Sequence, residues 1–122
     1  MANMFMLLTK DQSSPEILIF AFYQAVEAAF LKHNVVIGLL GPARKLADPK
    51  IRAELENTEV GRTIYKYIDK AKDLGVEIYI CTMPNQIYTL HTRQHAFHID
   101  GAVNAFTLNE YILQKQYTIL TY

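Results

Sequence analysis

The sequence predicts an α/β domain built on a mostly parallel five-stranded sheet covered by helices, and three observations carry that expectation. Short β-prone runs alternate with helix-compatible runs from end to end, the order that a parallel sheet with crossover helices requires. One β-prone run, VVIGLL at 35–40, is continuously apolar, as a strand buried on both faces is. The 122 residues contain no internal repeat, low-complexity tract or linker, so a single domain, 1–122, accommodates the whole chain.

Taken in order, FMLLT at 5–9 reads as the first strand. DQSSPE then supplies a helix start, with Ser14 as N-cap and Pro15 at the first helical position, where its missing N–H costs nothing. That helix runs to about Lys32. VVIGLL is the second strand, closed by Gly41 and Pro42, and Asp48 with Pro49 starts a short helix inside the long connection that follows. Val60, Ile64, Tyr67, Ile68 and Ala71 recur on one helical face, and Gly75 stands where a left-handed C-terminal cap belongs. VEIYIC is the third strand. Residues 84–97 are helix-compatible, GAVNAF at 101–106 is the fourth strand, TLNEYILQ a short helix, and YTILTY at 117–122 the last strand.

Composition excludes several function classes. The formal net charge is zero, so no global field draws the chain to nucleic acid or to an anionic membrane, and neither partner is expected. The N-terminus MANMFMLLTK lacks the basic region and cleavage site of a secretory signal, which makes the cytoplasm the expected compartment. With one cysteine there is no internal disulfide, and the role of that thiol depends on its surroundings. No phosphate-cradling glycine motif is present, and no cofactor is expected.

The first helix, SPEILIFAFYQAVEAAFLK, is apolar nearly all round, with only Gln24 and Glu27 polar between Ile17 and Leu31. A helix lying on a sheet needs one apolar stripe, so the surplus of Phe20, Phe22, Tyr23 and Phe30 predicts a homo-oligomer. The alternative is burial of this helix beneath the long connection at 42–58.

Parallel sheets deliver the residues after each strand to one edge, where ligands bind. Here that edge gathers Thr9 and Lys10, Gly41 to Lys45, Cys81 to Asn85, and Thr107. Cys81 is the candidate nucleophile. An unperturbed thiol of pKa ~8.5 is only about 3% thiolate at pH 7. Bringing it to ~7 takes about 2 kcal/mol, more than the ~0.3–1 kcal/mol a helix N-terminus typically supplies. Lys10, Arg44 and Lys45 are the cations the topology places nearest. Met83 cannot cap the helix that Pro84 would start, so with Thr82 the free amides of Asn85 and Gln86 are candidate binders of an anion, either the Cys81 sulfur or a ligand. The plain alternative is that Cys81 is a packed core thiol, because free cysteine is among the most buried residue types.

The segments GVEIYIC, GLLGPARKLA and LNEYILQKQYTILTY together resemble the DsrE/DsrF-like family, which includes the DsrE and TusD sulfur-relay proteins. The resemblance covers nearly the whole chain. It implies a three-layer α/β/α fold with frequent homo- or hetero-oligomers, and, in the sulfur-transferring members, a persulfide carried on a cysteine just after the third strand. Cys81 occupies the matching position, and GPARKL resembles the family's glycine-containing turn after strand two. Some relatives carry a second cysteine three residues on, where this chain has Pro84, so an internal dithiol mechanism is excluded. The implied function is a persulfide carrier or sulfur-transfer relay component, with sulfur donor and acceptor proteins as partners. The competing reading is a non-catalytic oligomeric scaffold or small-ligand binder of the same fold. A third concerns HTRQHAFH, where His91, His95 and His98 share a face, and thus offer metal ligands, if residues 84–98 form one helix. The resemblance does not include these histidines, and Thr92 replaces the general-base glutamate of a zinc protease motif.

Overall fold

The computed structural model describes residues 2–82, 94–104, 108–110, 113 and 116–122. Strands β1 (Asn3–Leu8), β2 (Asn34–Leu40), β3 (Glu77–Cys81), β4 (Gly101–Val103) and β5 (Thr118–Thr121) form one sheet in the order β4-β3-β2-β1-β5. Every pairing is parallel, as the alternating pattern predicts. Helices α1 (Pro15–Phe30), α2 (Pro49–Leu55) and α3 (Glu59–Asp73) fill the first two crossovers, and Gly41–Ala47 forms a 3-10 helix where the sequence suggested only a turn.

The chain steps from β1 to β4 in one direction and then returns across the sheet to β5. Right-handed crossovers in one direction put their helices on one face, and α1 and α3 do pack together on the same face. The return passes over the other face, where residues 108–110 and 113 are helical and Leu108 packs with Phe5, Val36 and Tyr117. Strand alternation divides the core accordingly. Met6, Leu8, Val35, Ile37, Leu39, Ile78 and Ile80 lie under α1 and α3, whereas Phe5, Val36 and Tyr79 belong to the second face. On that second face Phe5 meets Tyr117 edge-on, with centroids 6.3 Å apart.

Local signals behave as the residues dictate. Asp48 caps α2 by accepting from the Lys50 N–H at 2.9 Å, and Thr58 caps α3 by accepting from the Gly61 N–H at 3.0 Å. Gly75 has φ +89°, the left-handed value expected after α3. Ser14 occupies the N-cap of α1 but makes no side-chain cap bond. The turn is held instead by Asp11, which accepts from the Ser13 N–H and hydroxyl. The fourth strand stops at Val103, short of the expected Phe106, and residues 94–97 are not helical, although most of the helix expected over 84–97 lies outside the described residues.

The outer face of α1 is only partly as expected. Phe22 is fully buried in the core, so it is not part of any surplus. Phe20, Tyr23 and Phe30 remain exposed, and the connection at 42–58 does not cover them. Tyr23 meets Tyr67 of α3 edge-on at 5.5 Å.

Candidate functional site

The carboxyl edge is built by strand register. Leu40 pairs with Cys81 and Cys81 with Val103, so the thiol stands at the end of β3 between two neighbouring strand ends. Alternation turns it away from α1 and α3, onto the face that carries Phe5 and Tyr79. Gly38 makes this placement feasible. A methyl group on Gly38 would lie 2.8 Å from the Cys81 Sγ and 3.0 Å from the Phe5 Cζ, so the absent side chain is the space that thiol and ring occupy.

The thiol is buried, with 4% of the residue exposed. Burial pushes its pKa up to about 11, because removing the thiolate from water costs more than the partly compensating charge of Arg44 returns. The three expected cations therefore differ in what they do. Arg44 acts on the thiol electrostatically while its Nε donates to the Gly41 carbonyl at 3.2 Å. Lys45 is exposed and pairs with Asp11 at 3.4 Å, tying the loop after β1 to the 3-10 helix. The Ser13 hydrogen bonds, more than Lys45, hold the Asp11 carboxyl below its usual value. Lys10 is exposed.

Thr82 donates its N–H to the Val103 carbonyl at 2.8 Å and is itself 7% exposed. Its Oγ1 is buried without a hydrogen-bond partner, as is the Oε1 of Gln12 in the loop after β1. Sequence reading named Thr82 but passed over Gln12, which no motif distinguishes. Asn85 and Gln86 lie outside the described residues, as do Met83, Pro84, His91 and Thr107.

The segment that begins at residue 94 is firmly anchored. The Ala96 N–H donates to the Ala47 carbonyl at 2.8 Å, and Arg52 donates to the Ala96 carbonyl at 2.8 Å while gripping Asp69 at 2.7 Å. The same guanidinium lies 4.8 Å over the Tyr65 ring, whose hydroxyl donates to the Leu46 carbonyl. His95 and His98 sit in this irregular segment, so the helical face that would align them is lacking between these two. His98 lies 3.4 Å from Asp100, which is engaged with Lys72 and the Ile78 N–H. Among the described residues no three histidine, cysteine or acidic side chains cluster to hold a metal.

The contact around Gly38 yields a test. Gly38→Ala is expected to destabilise the fold by about 1–3 kcal/mol, because both neighbours are buried and have little room to yield. In a Cys81→Ala background the same change should cost less, since the sulfur is gone. Equal costs in the two backgrounds, read from urea midpoints, would show that the thiol does not press on Gly38.

No protein-family model matches the chain, and no curated protein matches it significantly. Solved structures do. The YchN protein from E. coli, whose fold is DsrE/TusD-like, matches at 16% identity over 100% of both chains with a TM-score of 0.66. A conserved protein of unknown function from Bacteroides thetaiotaomicron, BT1422, matches at 15% identity over 97% of this chain and 94% of its own, with a TM-score of 0.56. These likenesses establish the fold, a YchN-like α/β architecture on an all-parallel five-stranded sheet.

Proposed function

We propose that this protein is a single-cysteine sulfur carrier of the sulfur-relay kind, acting in the cytoplasm and assembled from copies of itself. Cys81 accepts sulfane sulfur as a persulfide and passes it to an acceptor protein. The observation that carries this reading is the position of the chain's sole thiol: it ends β3 at the carboxyl edge of a YchN-like parallel sheet, within the field of Arg44.

The chemistry balances without an oxidant. The Cys81 thiolate attacks the outer sulfur of a donor persulfide; a new S–S bond forms as the donor's S–S bond breaks, and the donor leaves as a thiolate that takes up a proton. The acceptor's thiolate reverses the step on Cys81. Attack needs an ionised, accessible sulfur, and the resting thiol is neither. Loading in this reading therefore follows docking of a donor that uncovers Cys81 and lets Arg44 favour the anion, which keeps the sulfur from reacting with stray thiols.

The second reading is a non-catalytic scaffold or small-ligand binder in which Cys81 is an inert core residue. The observation that favours it is the placement of Sγ beside Gly38, where it fills the space a side chain would take, at 4% exposure. Intact mass after incubation with a protein persulfide donor separates the two. Sulfur-atom increments that reductant removes, and that vanish in Cys81→Ser, support the carrier; an unmodified chain under conditions where the donor persulfidates other acceptors supports the scaffold.

A further inference from the structure

Two buried polar atoms at the carboxyl edge lack hydrogen-bond partners among the described residues: the Thr82 Oγ1, in a residue 7% exposed, and the Gln12 Oε1. Nearly every buried hydroxyl or amide in a folded chain is paired, because taking such a group out of water unpaired costs stability. Valine has the shape of threonine without that cost, so packing alone gives no reason for a hydroxyl at position 82.

The fold brings the two residues towards one place. Ile78 and Ile80 lie under α1 and α3, so alternation puts Thr82 on the same face, opposite to Cys81. Gln12 belongs to the loop that leads from β1 into α1 on that face. Because β1 and β3 flank β2, their ends stand ~9.6 Å apart, two strand spacings. The 3-10 helix that follows β2 lies on this face as well, since Ala43, Leu46 and Ala47 join the core that α1 and α3 cover. Lys45 pairs with Asp11 at 3.4 Å, which draws the Gln12 loop against this helix, and β3 also touches it. Gln12 and Thr82 thus flank one short element.

The charge at this junction is positive. Residues 9–14 and the 3-10 helix carry Lys10, Arg44 and Lys45 against one acid, Asp11. Arg44 follows the central strand, and its field reaches Cys81, the neighbour of Thr82.

We infer that this junction binds a small oxyanion, held by the Thr82 hydroxyl and the Gln12 side-chain amide under the charge of Arg44. The hydroxyl donates directly. A half-turn of the Gln12 amide exchanges its oxygen for the NH2 group, which then donates as well. Hydrogen bonds to an ionised acceptor are roughly twice as strong as neutral ones, and the bound ion gives the hydroxyl the partner it lacks. With ~9.6 Å between the strand ends and a side chain entering from each, the space suits one compact ion rather than a nucleotide. The site lies on the other face from the thiol and does not depend on sulfur carriage.

Titration with acetate, phosphate and sulfate against chloride at fixed ionic strength, followed by amide NMR shifts, tests it. At least one of the three is expected to saturate at roughly millimolar concentration and to shift the Gln12 and Thr82 signals together. Thr82→Val and Gln12→Leu should each weaken that binding by about tenfold or more, whereas Thr82→Ser, which keeps the hydroxyl, and Cys81→Ser should retain it. In chloride alone Thr82→Val should raise the urea midpoint, because it deletes an unpaired buried hydroxyl, and the bound anion should narrow the difference by stabilising the parent. Should Gln12→Leu fail to fold, Thr82→Val decides. No saturation with any of the three anions, or saturation that Thr82→Val leaves intact, overturns the site. A lowered midpoint in Thr82→Val overturns it too, since the hydroxyl is then satisfied within the fold. Each of these results leaves persulfide loading of Cys81 standing, which intact mass reads separately.

Discussion

Gly61→Ala is expected to destabilise the fold by about 3 kcal/mol, lowering the urea midpoint with little change in slope. A methyl group at this position would lie 1.9 Å from the Leu55 carbonyl oxygen and 2.5 Å from its carbon. The obstacle is backbone, and it is not free to move. The Leu55 oxygen accepts from the Thr58 N–H at 3.0 Å and from the Thr58 hydroxyl at 2.9 Å, while that hydroxyl also caps α3 by accepting from the Gly61 N–H. Relief by swinging the carbonyl away gives up those two bonds, worth about 1 kcal/mol each, on top of the strain. In a chain whose whole stability is on the order of 10 kcal/mol, such a loss is large. A midpoint equal to that of the parent would mean that α2 and α3 are not joined as closely as described.

The second large effect concerns pH. With its pKa pushed up to about 11, the Cys81 thiol is ionised in only about one molecule in 10⁴ at pH 7. Alkylation of the folded chain by iodoacetamide should therefore accelerate about tenfold per pH unit from 7 to 10 and level off only near pH 11. In urea the same cysteine should level off near its ordinary value of 9.0. Removing the charge in Arg44→Gln should raise the folded pKa further and slow alkylation at a given pH. A plateau near neutrality in the folded chain would overturn the neutral buried thiol and bring Cys81 into the range of a ready nucleophile.

Stability follows from the same shift. The folded state holds the Cys81 proton more tightly than the unfolded state does. The group's contribution is therefore complete below the unfolded pKa, and it is lost as pH rises from about 9 through about 11. The rise from 9.0 to about 11 corresponds to about 2–3 kcal/mol. Other groups titrate in that window, so the quantity to measure is the difference between the parent chain and Cys81→Ala, which should shrink with rising pH across it.

What could be read from the sequence is what depends on neighbours along the chain. The cap at Asp48, the left-handed Gly75, the proline at the start of α1 and the apolar run of β2 are local physics. Together with the alternating pattern they imply parallel strands, hence a common carboxyl edge with Cys81 on it. The resemblance to the DsrE/DsrF-like family added the layer arrangement, which the YchN-like fold bears out.

Other properties came only with the tertiary structure, because they depend on residues far apart in sequence. The β4-β3-β2-β1-β5 order decides that β5 is an edge among the described strands and that Leu108 and Tyr117, in the connection before it, pack on the second face. The space beside Cys81 comes from Gly38, which strand register brings close to the thiol, and Gly38 looks unremarkable in the stretch VVIGLL. Arg44 and Lys45 adjoin in sequence, yet one acts on the thiol and the other pairs with Asp11, because the 3-10 helix turns them in different directions. Position at the edge was thus determined by the sequence itself, whereas the protonation and exposure of the thiol were decided by packing, since desolvation is a property of everything that surrounds a group.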